Sequence, residues 1–223
     1  MKKFGYIAIT PCTWLVVVSV VAAVIGSRVL PNVWGAENGP LEVTQAIILL
    51  CTCLVALSSR YYGVGTLAQR KLWVWTMPVW LLMSGRELSW GRVFYTNQAG
   101  DIVQLSDLWY GAYVHPTVAV IVMLTIWGLV KTGVISQMMN WLKYGGIPLV
   151  EVVVMLIAIV IAGFVEHGSG GMFGVREELY EELAEWVSYI TAFFLMIELG
   201  FNKKIQPSQE ARKYKRLTNY VAR

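Results

Sequence analysis

Six stretches of roughly 20 mostly apolar residues, near 8–30, 42–59, 72–90, 113–131, 147–165 and 184–201, leave this chain few ways to fold. A helix of that length crosses the hydrocarbon core of a bilayer, and lipid gives the backbone no other hydrogen-bond partner. The charge between the stretches is scarce, at 14% of side chains, against about 25% in a soluble domain. A water-soluble enzyme, a disordered chain and a disulfide-rich secreted scaffold are thereby excluded. The expected fold is all-α: an integral membrane bundle of six transmembrane helices over 1–202, followed by a basic cytoplasmic tail at 203–223. Pro40 fits the first turn of the second helix, where a missing N–H does no harm. The third helix is the most polar, with Ser84, Arg86 and Glu87 in its last turns.

Basic residues set the orientation. With the N-terminus inside, Lys and Arg divide fourteen inside to four outside, the four being Arg28, Arg86, Arg92 and Arg176. That bias places both termini in the cytoplasm of a cell whose inner membrane holds the bundle. Acids skew the other way: eleven of fourteen fall outside, the exceptions being Glu151, Glu198 and Glu210. Met1-Lys2-Lys3 before an apolar run also fits a secretory leader, yet the run exceeds a usual leader core, which favours an uncleaved first helix. Trp34, Trp90, Trp109, Tyr110, Tyr113, Trp186 and Tyr189 read as an outer aromatic belt, and Trp73, Trp75, Trp141 and Tyr144 as an inner one. Cys12, Cys51 and Cys53 read as small apolar packing residues rather than a metal or redox pair.

Nearly all remaining polar residues fall at the outer membrane boundary. Glu37 and Glu42 flank the entry to the second helix. Arg86, Glu87, Ser89 and Arg92 lie at the end of the third, Asp101 and Asp107 in the following loop, His115 at the start of the fourth, and Glu166 and His167 at the end of the fifth. Ionisable groups at membrane depth are expensive and mark function or a paired partner. In the headgroup layer the same residues are merely solvated. Their concentration at one level, from five helices, favours a shared pocket.

Glu178, Glu181, Glu182 and Glu185 follow i, i+3, i+4, i+7 spacing and share one helical face. A helix start favours negative charge, but four like charges on one face repel unless something neutralises them. Arg86, Arg92 and Arg176 are the partners at hand. A hard divalent cation such as Mg²⁺ or Ca²⁺ is the other option. Zinc finds no His-Glu-x-x-His or paired Cys-x-x-Cys spacing; His115, His167 and one acid are the only three-ligand set in sight. The glycine-rich link at 168–174 lacks the Lys-Ser/Thr of a phosphate-binding loop and reads as a flexible connection.

These outer-face motifs resemble those of an uncharacterised family of bacterial polytopic inner-membrane proteins. A Glu/Asp-Gly-Pro-x-Glu box is matched by Asn38-Gly39-Pro40-Leu41-Glu42 after Glu37, and an acidic-x-Ser-Trp-Gly box by Glu87-Leu88-Ser89-Trp90-Gly91. Asn97-Gln98-Ala99-Gly100-Asp101 is similar to the loop that follows. The chain departs from the pattern at Arg86, where a second acid is expected, and at Ser106-Asp107, where His-Asn is expected. The resemblance covers the first half of the chain and implies no activity.

Three readings of function stay open. One is an enzyme acting on a lipid or lipid-linked substrate, with Glu42, Arg86, Glu87, Ser89, Glu166 and His167 as its chemistry and the other outer charges as its binding groups. It needs two carboxyl groups in different environments, one acid and one base. Another is an ion-coupled transporter. Gly39-Pro40-Leu41-Glu42 echoes Gly146-Ile147-Pro148-Leu149-Val150-Glu151, and Glu87-Leu88 echoes Glu198-Leu199, as an inverted repeat of three helices would. The last is an accessory subunit whose acidic face docks a periplasmic or membrane partner, without an enclosed pocket. The basic tail suits anionic lipid headgroups, and no nucleic-acid-binding module is present.

Overall fold

The computed structural model describes residues 6–95, 102–168 and 174–207. Asp101, most of the glycine-rich link and most of the basic tail lie outside the described residues. Local sequence explains where the helices begin. A short strand β1 (Tyr6–Ile7) leads into α1 (Pro11–Val29), which opens with Pro11 after a Thr10–Thr13 capping box. Helix α2 (Pro40–Tyr62) likewise starts on a proline, whose fixed φ suits a first helical turn. A second capping box, Thr66 with Gln69, starts α3 (Leu67–Glu87). Helix α4 (Gly111–Lys131), α5 (Val134–Tyr144), strand β2 (Gly146–Ile147), α6 (Leu149–Gly168) and α7 (Glu177–Phe201) complete the order.

Five of these helices, at Pro11–Val29, Pro40–Tyr62, Gly111–Lys131, Leu149–His167 and Gly174–Phe201, are long and apolar enough to cross a membrane. Helix α3 is not one of them. Its uncharged stretch at 72–85, between Lys71 and Arg86, covers only about 20 Å at 1.5 Å per residue, short of the roughly 30 Å of a hydrocarbon core. Between the expected spans at 113–131 and 147–165 lies a helix the apolar runs did not announce, α5. The sixth apolar stretch, expected over 184–201, is the later part of a longer helix, and the run of acids lies in its first turns, as the spacing predicted.

Packing ranks the helices. Helix α7 touches α1, α2 and α6, while α2 touches α3 and α7, and α3 touches α4. Half of the apolar window of α7 is buried, against 11% in α4, so α7 is the central post and α4 is peripheral. The outer faces of α1, α4 and α6 expose Val18, Ile25, Leu124, Val130, Ile157 and Phe164. Contiguous apolar surface of this kind is foreign to a soluble monomer and natural against lipid. Where α2 crosses α7, Gly200 allows close approach: a Cβ there would lie 2.1 Å from the Ser59 hydroxyl.

One end of the bundle is clasped. Strands β1 and β2 pair in parallel, Tyr6 with Gly146 and Ile7 with Ile147. The Tyr6 hydroxyl donates to the Lys204 carbonyl (2.6 Å), and Gly146 N–H and Trp141 Nε1 both donate to the carbonyl of fully buried Ile205. The starts of α1 and α6 and the end of α7 therefore meet at this clasp end. The opposite end carries most of the acids.

Candidate functional site

At the acidic end, α2, α3 and α7 bring six titratable side chains around one another. Helical periodicity does the placing: Glu42 and Gln45 lie one turn apart on α2, and Glu182, Glu185 and Tyr189 share a stripe on α7. Glu87 is 6% exposed and Glu182 9%, whereas Arg86 has a side chain 58% exposed. Arg86 Nη2 donates to Glu185 Oε1 at 2.9 Å, and its Nε lies 3.6 Å from Glu87 Oε1. The Tyr189 hydroxyl is 2.9 Å from Glu87 Oε1 and 3.3 Å from Glu185 Oε2. Gln45 Nε2 donates to the Glu182 carbonyl (2.9 Å) and to its Oε2 (2.8 Å). The Asn38 backbone N–H donates to Glu42 Oε2, which seats Glu42 at the edge of the group.

Four carboxyl groups thus surround one guanidinium. Two unit charges 4 Å apart interact by about 4 kcal/mol at an effective dielectric of 20, so unrelieved repulsion here would be unaffordable. Arg86 relieves Glu87 and Glu185, and Gln45 relieves Glu182. An excess of acid remains, to be met by protons or by a bound cationic group. One acceptor also waits for a donor: Gln45 Oε1, on a fully buried side chain, has no hydrogen-bond partner among the described residues. A buried amide oxygen without a partner marks a place for a water or a ligand hydroxyl or amine. Among the described residues no three His, Cys, Asp or Glu side chains converge as metal ligands.

Beside this cluster runs an apolar crevice of about 440 Å³ between α3 and α4. Val79, Leu82, Met83, Val118, Val122 and Leu129 line it, and Arg86 and Trp90 close its acidic end. The volume falls in the range of ligand pockets. At the crevice mouth the backbone of Ser89, Trp90 and Gly91 is left-handed at three successive residues, with φ of 47°, 57° and 88°. This costs energy at Ser89 and Trp90. It is held in place by Tyr110, whose hydroxyl donates to the Trp90 carbonyl (3.2 Å), and by the Trp90 ring lying over Gly85. The strained box turns the chain back so that Trp90 walls the crevice.

The expected site residues divide. Glu42, Arg86, Glu87, Glu182 and Glu185 come together, and Ser89 lies two residues beyond Glu87 in the strained box. Among the described residues the other arginines pair with carbonyls and not with the acids: Arg92 Nε donates to the Val103 carbonyl, and Arg176 Nη1 reaches the Ser27 carbonyl in the last turns of α1. Glu166 and His167 pair with each other at 3.1 Å on the exposed end of α6, and Glu181 faces Glu166. Glu37, Asp107, His115 and Glu178 are exposed. Asp101 is outside the described residues. Gln45 and Tyr189 were not foreseen, the tyrosine having been read as part of an aromatic belt. Each stands one helical turn from an acid, Glu42 and Glu185 respectively, and that spacing was the available signal.

A second acidic pair sits at the clasp end. Glu151 of α6 is fully buried; Thr13 Oγ1 donates to its Oε1, and its Oε2 has no partner among the described residues. Glu198 of α7, 4% exposed, accepts from Asn202 Nδ2 and lies against the Cys12 thiol. These are two of the acids that broke the sidedness of the acidic residues. The N-terminal turns of α1 and α6 meet here, and their dipoles supply positive potential where no lysine or arginine pairs with these acids among the described residues.

Comparison with protein-family models, curated proteins and solved structures finds no match.

Proposed function

We propose that the chain is a six-span bacterial inner-membrane protein, with both termini cytoplasmic, that binds a lipid or lipid-linked substrate at the periplasmic boundary and works on its polar group. The sixth crossing is α3, its short apolar stretch flanked by Lys71 and Arg86, which reach toward the two headgroup layers. The clasp supports this count. Residues near the N-terminus and after α7 meet at one end of the bundle, which requires an even number of crossings.

The observation that carries the functional reading is that Arg86 belongs to both halves of the site. It forms the end of the apolar crevice and is also the only cation bonded to the carboxyl cluster among the described residues. A substrate chain lying along the crevice thus delivers its polar end to Glu87, Glu185 and Tyr189. Glu87, held by Tyr189 and Arg86, is placed to take a proton from a substrate hydroxyl or amine, and Glu42 and Glu182 to return one. The acid excess favours a polar group that carries hydrogen-bond donors.

The test uses the whole protein in vesicles of native lipid extract, with lipid composition followed by mass spectrometry. Replacing Glu87 with Gln should abolish conversion while the protein stays inserted and folded. Val122→Trp, which fills the crevice, should remove co-purifying lipid. Full turnover by Glu87→Gln and unchanged lipid in Val122→Trp would together overturn the reading.

The transporter reading, which rests on an inverted repeat, finds support only at the level of hairpins. The echoing acids pair with each other: Glu42 lies within electrostatic reach of Glu87 at one end, and Glu151 and Glu198 both lie near Cys12 at the other. The hairpins α2–α3 and α6–α7 are also the two most closely packed helix pairs. The echo stops there, because α2 packs on α7 whereas α3 and α6 share no comparable contact. An inverted repeat would need that contact, so the likeness is one of hairpins and not of halves.

A further inference from the structure

We propose that α5 is a membrane-surface helix, lying in the headgroup–acyl boundary of the leaflet at the clasp end and gathering anionic lipid there. The helix is only eleven residues long, about 16 Å at 1.5 Å per residue, too short to cross a bilayer. At about 100° per residue its side chains fall into three sectors. Val134, Gln137 and Trp141 form the first and face the protein. Val134 and Trp141 pack on the core of Leu72, Trp73 and Met196, Gln137 Nε2 donates to the Thr132 carbonyl, and Trp141 Nε1 to that of Ile205. Ile135, Met138, Met139 and Leu142 form the second, at i, i+3, i+4 and i+7, and all four are exposed. Ser136, Asn140 and Lys143 form the third and are polar.

A helix flanked by water on all sides has no use for the second sector, and a core helix would bury it. One side on protein, one apolar and one polar is the arrangement of a helix seated at a membrane surface beside its own bundle. Two observations name the occupant of the apolar sector. It follows directly in the chain on an exposed apolar run of α4, Leu124, Ile126, Trp127 and Val130. The helix is also bracketed by Lys131, whose Nζ lies 5.9 Å from the Trp127 ring centroid, and by exposed Lys143. Ammonium groups at both ends of an apolar stripe complement anionic headgroups above acyl chains. The break between α4 and α5 is built in: Gly133 adopts φ 71°, which ends α4 and lets α5 leave its line.

The test places a photoreactive side chain at Met138, Leu142, Ser136 or Asn140 of the full chain, in vesicles of zwitterionic lipid with a minority of anionic lipid. Adducts are identified by mass spectrometry. Positions 138 and 142 should give severalfold more lipid adducts than 136 and 140, with anionic lipid over-represented relative to the vesicle. Lys131→Gln and Lys143→Gln should each lower that enrichment by up to about fivefold, since a lysine near an anionic surface contributes about 1 kcal/mol. Equal lipid yields at all four positions would overturn the proposal, as would protein–protein adducts at Met138, which would mean that a second copy covers the stripe. Lipid adducts with no anionic enrichment would overturn its charge component.

Discussion

The two acidic groups at opposite ends of the bundle hold the same chemistry in different ways. At the acidic end, Glu87 and Glu185 lean on a half-exposed arginine, and Glu182 leans on an amide. At the clasp end, Glu151 and Glu198 are as deeply buried, yet their partners are a hydroxyl, an amide and a thiol beside two helix N-termini. Buried carboxyl groups need donors, not necessarily cations. The first group faces a crevice and spends its one cation at the crevice mouth. The second lies at the clasp end, and its donors come from neighbouring side chains, Thr13 to Glu151 and Asn202 to Glu198. On the proposed function the first receives a substrate, while the second ties helices together.

Four substitutions sharpen or break that contrast. The largest effect is expected from Gln45→Leu, which strips its amide partner from buried Glu182 and should lower stability by about 2–3 kcal/mol, read as loss of helical signal on heating in detergent. Thr13→Val removes the hydroxyl from Glu151 and should cost about 1–2 kcal/mol, with Thr13→Ser restoring most of it. A smaller loss, about 1 kcal/mol, is expected for Tyr189→Phe, which keeps the ring and removes one donor shared by Glu87 and Glu185. Arg86→Gln should cost least, about 1 kcal/mol or less, because its side chain is 58% exposed and the carboxyl groups it leaves can take up protons; raising the salt should shrink that cost further and leave the Thr13→Val cost unchanged. A stability loss for Arg86→Gln larger than for Gln45→Leu would make the acidic end a structural network and not a receptive site.

Most of the fold was legible along the chain. Apolar runs announced five helices that can cross a membrane, and the polar ends of α3 explain why the remaining run falls short by composition. Pro11 and Pro40 marked helix starts. Helix α5 was missed because its apolar residues are spaced for a surface and interrupted by Ser136, Gln137 and Asn140, so no window around it is apolar throughout. Of the clustered side chains, the acids and Arg86 were legible in the sequence. Their partners were harder to see: Gln45 sits inside an apolar run, Tyr189 resembles an interface anchor, and Arg92 and Arg176 turn to backbone carbonyls instead.

The sequence alone determined the class, because twenty-residue apolar runs admit helices in lipid and little else. It also set apart the acidic end, since charge is too costly in hydrocarbon to fall anywhere at random. Only the tertiary structure decided which acids meet. Glu178, Glu181, Glu182 and Glu185 share one stripe of α7, yet α2 and α3 cover only part of it, burying Glu182 and leaving Glu178 exposed. Helical spacing is a local property and can be read from residues three and four apart. Which face a neighbouring helix covers depends on contacts made across some one hundred positions of chain, such as Arg86 to Glu185.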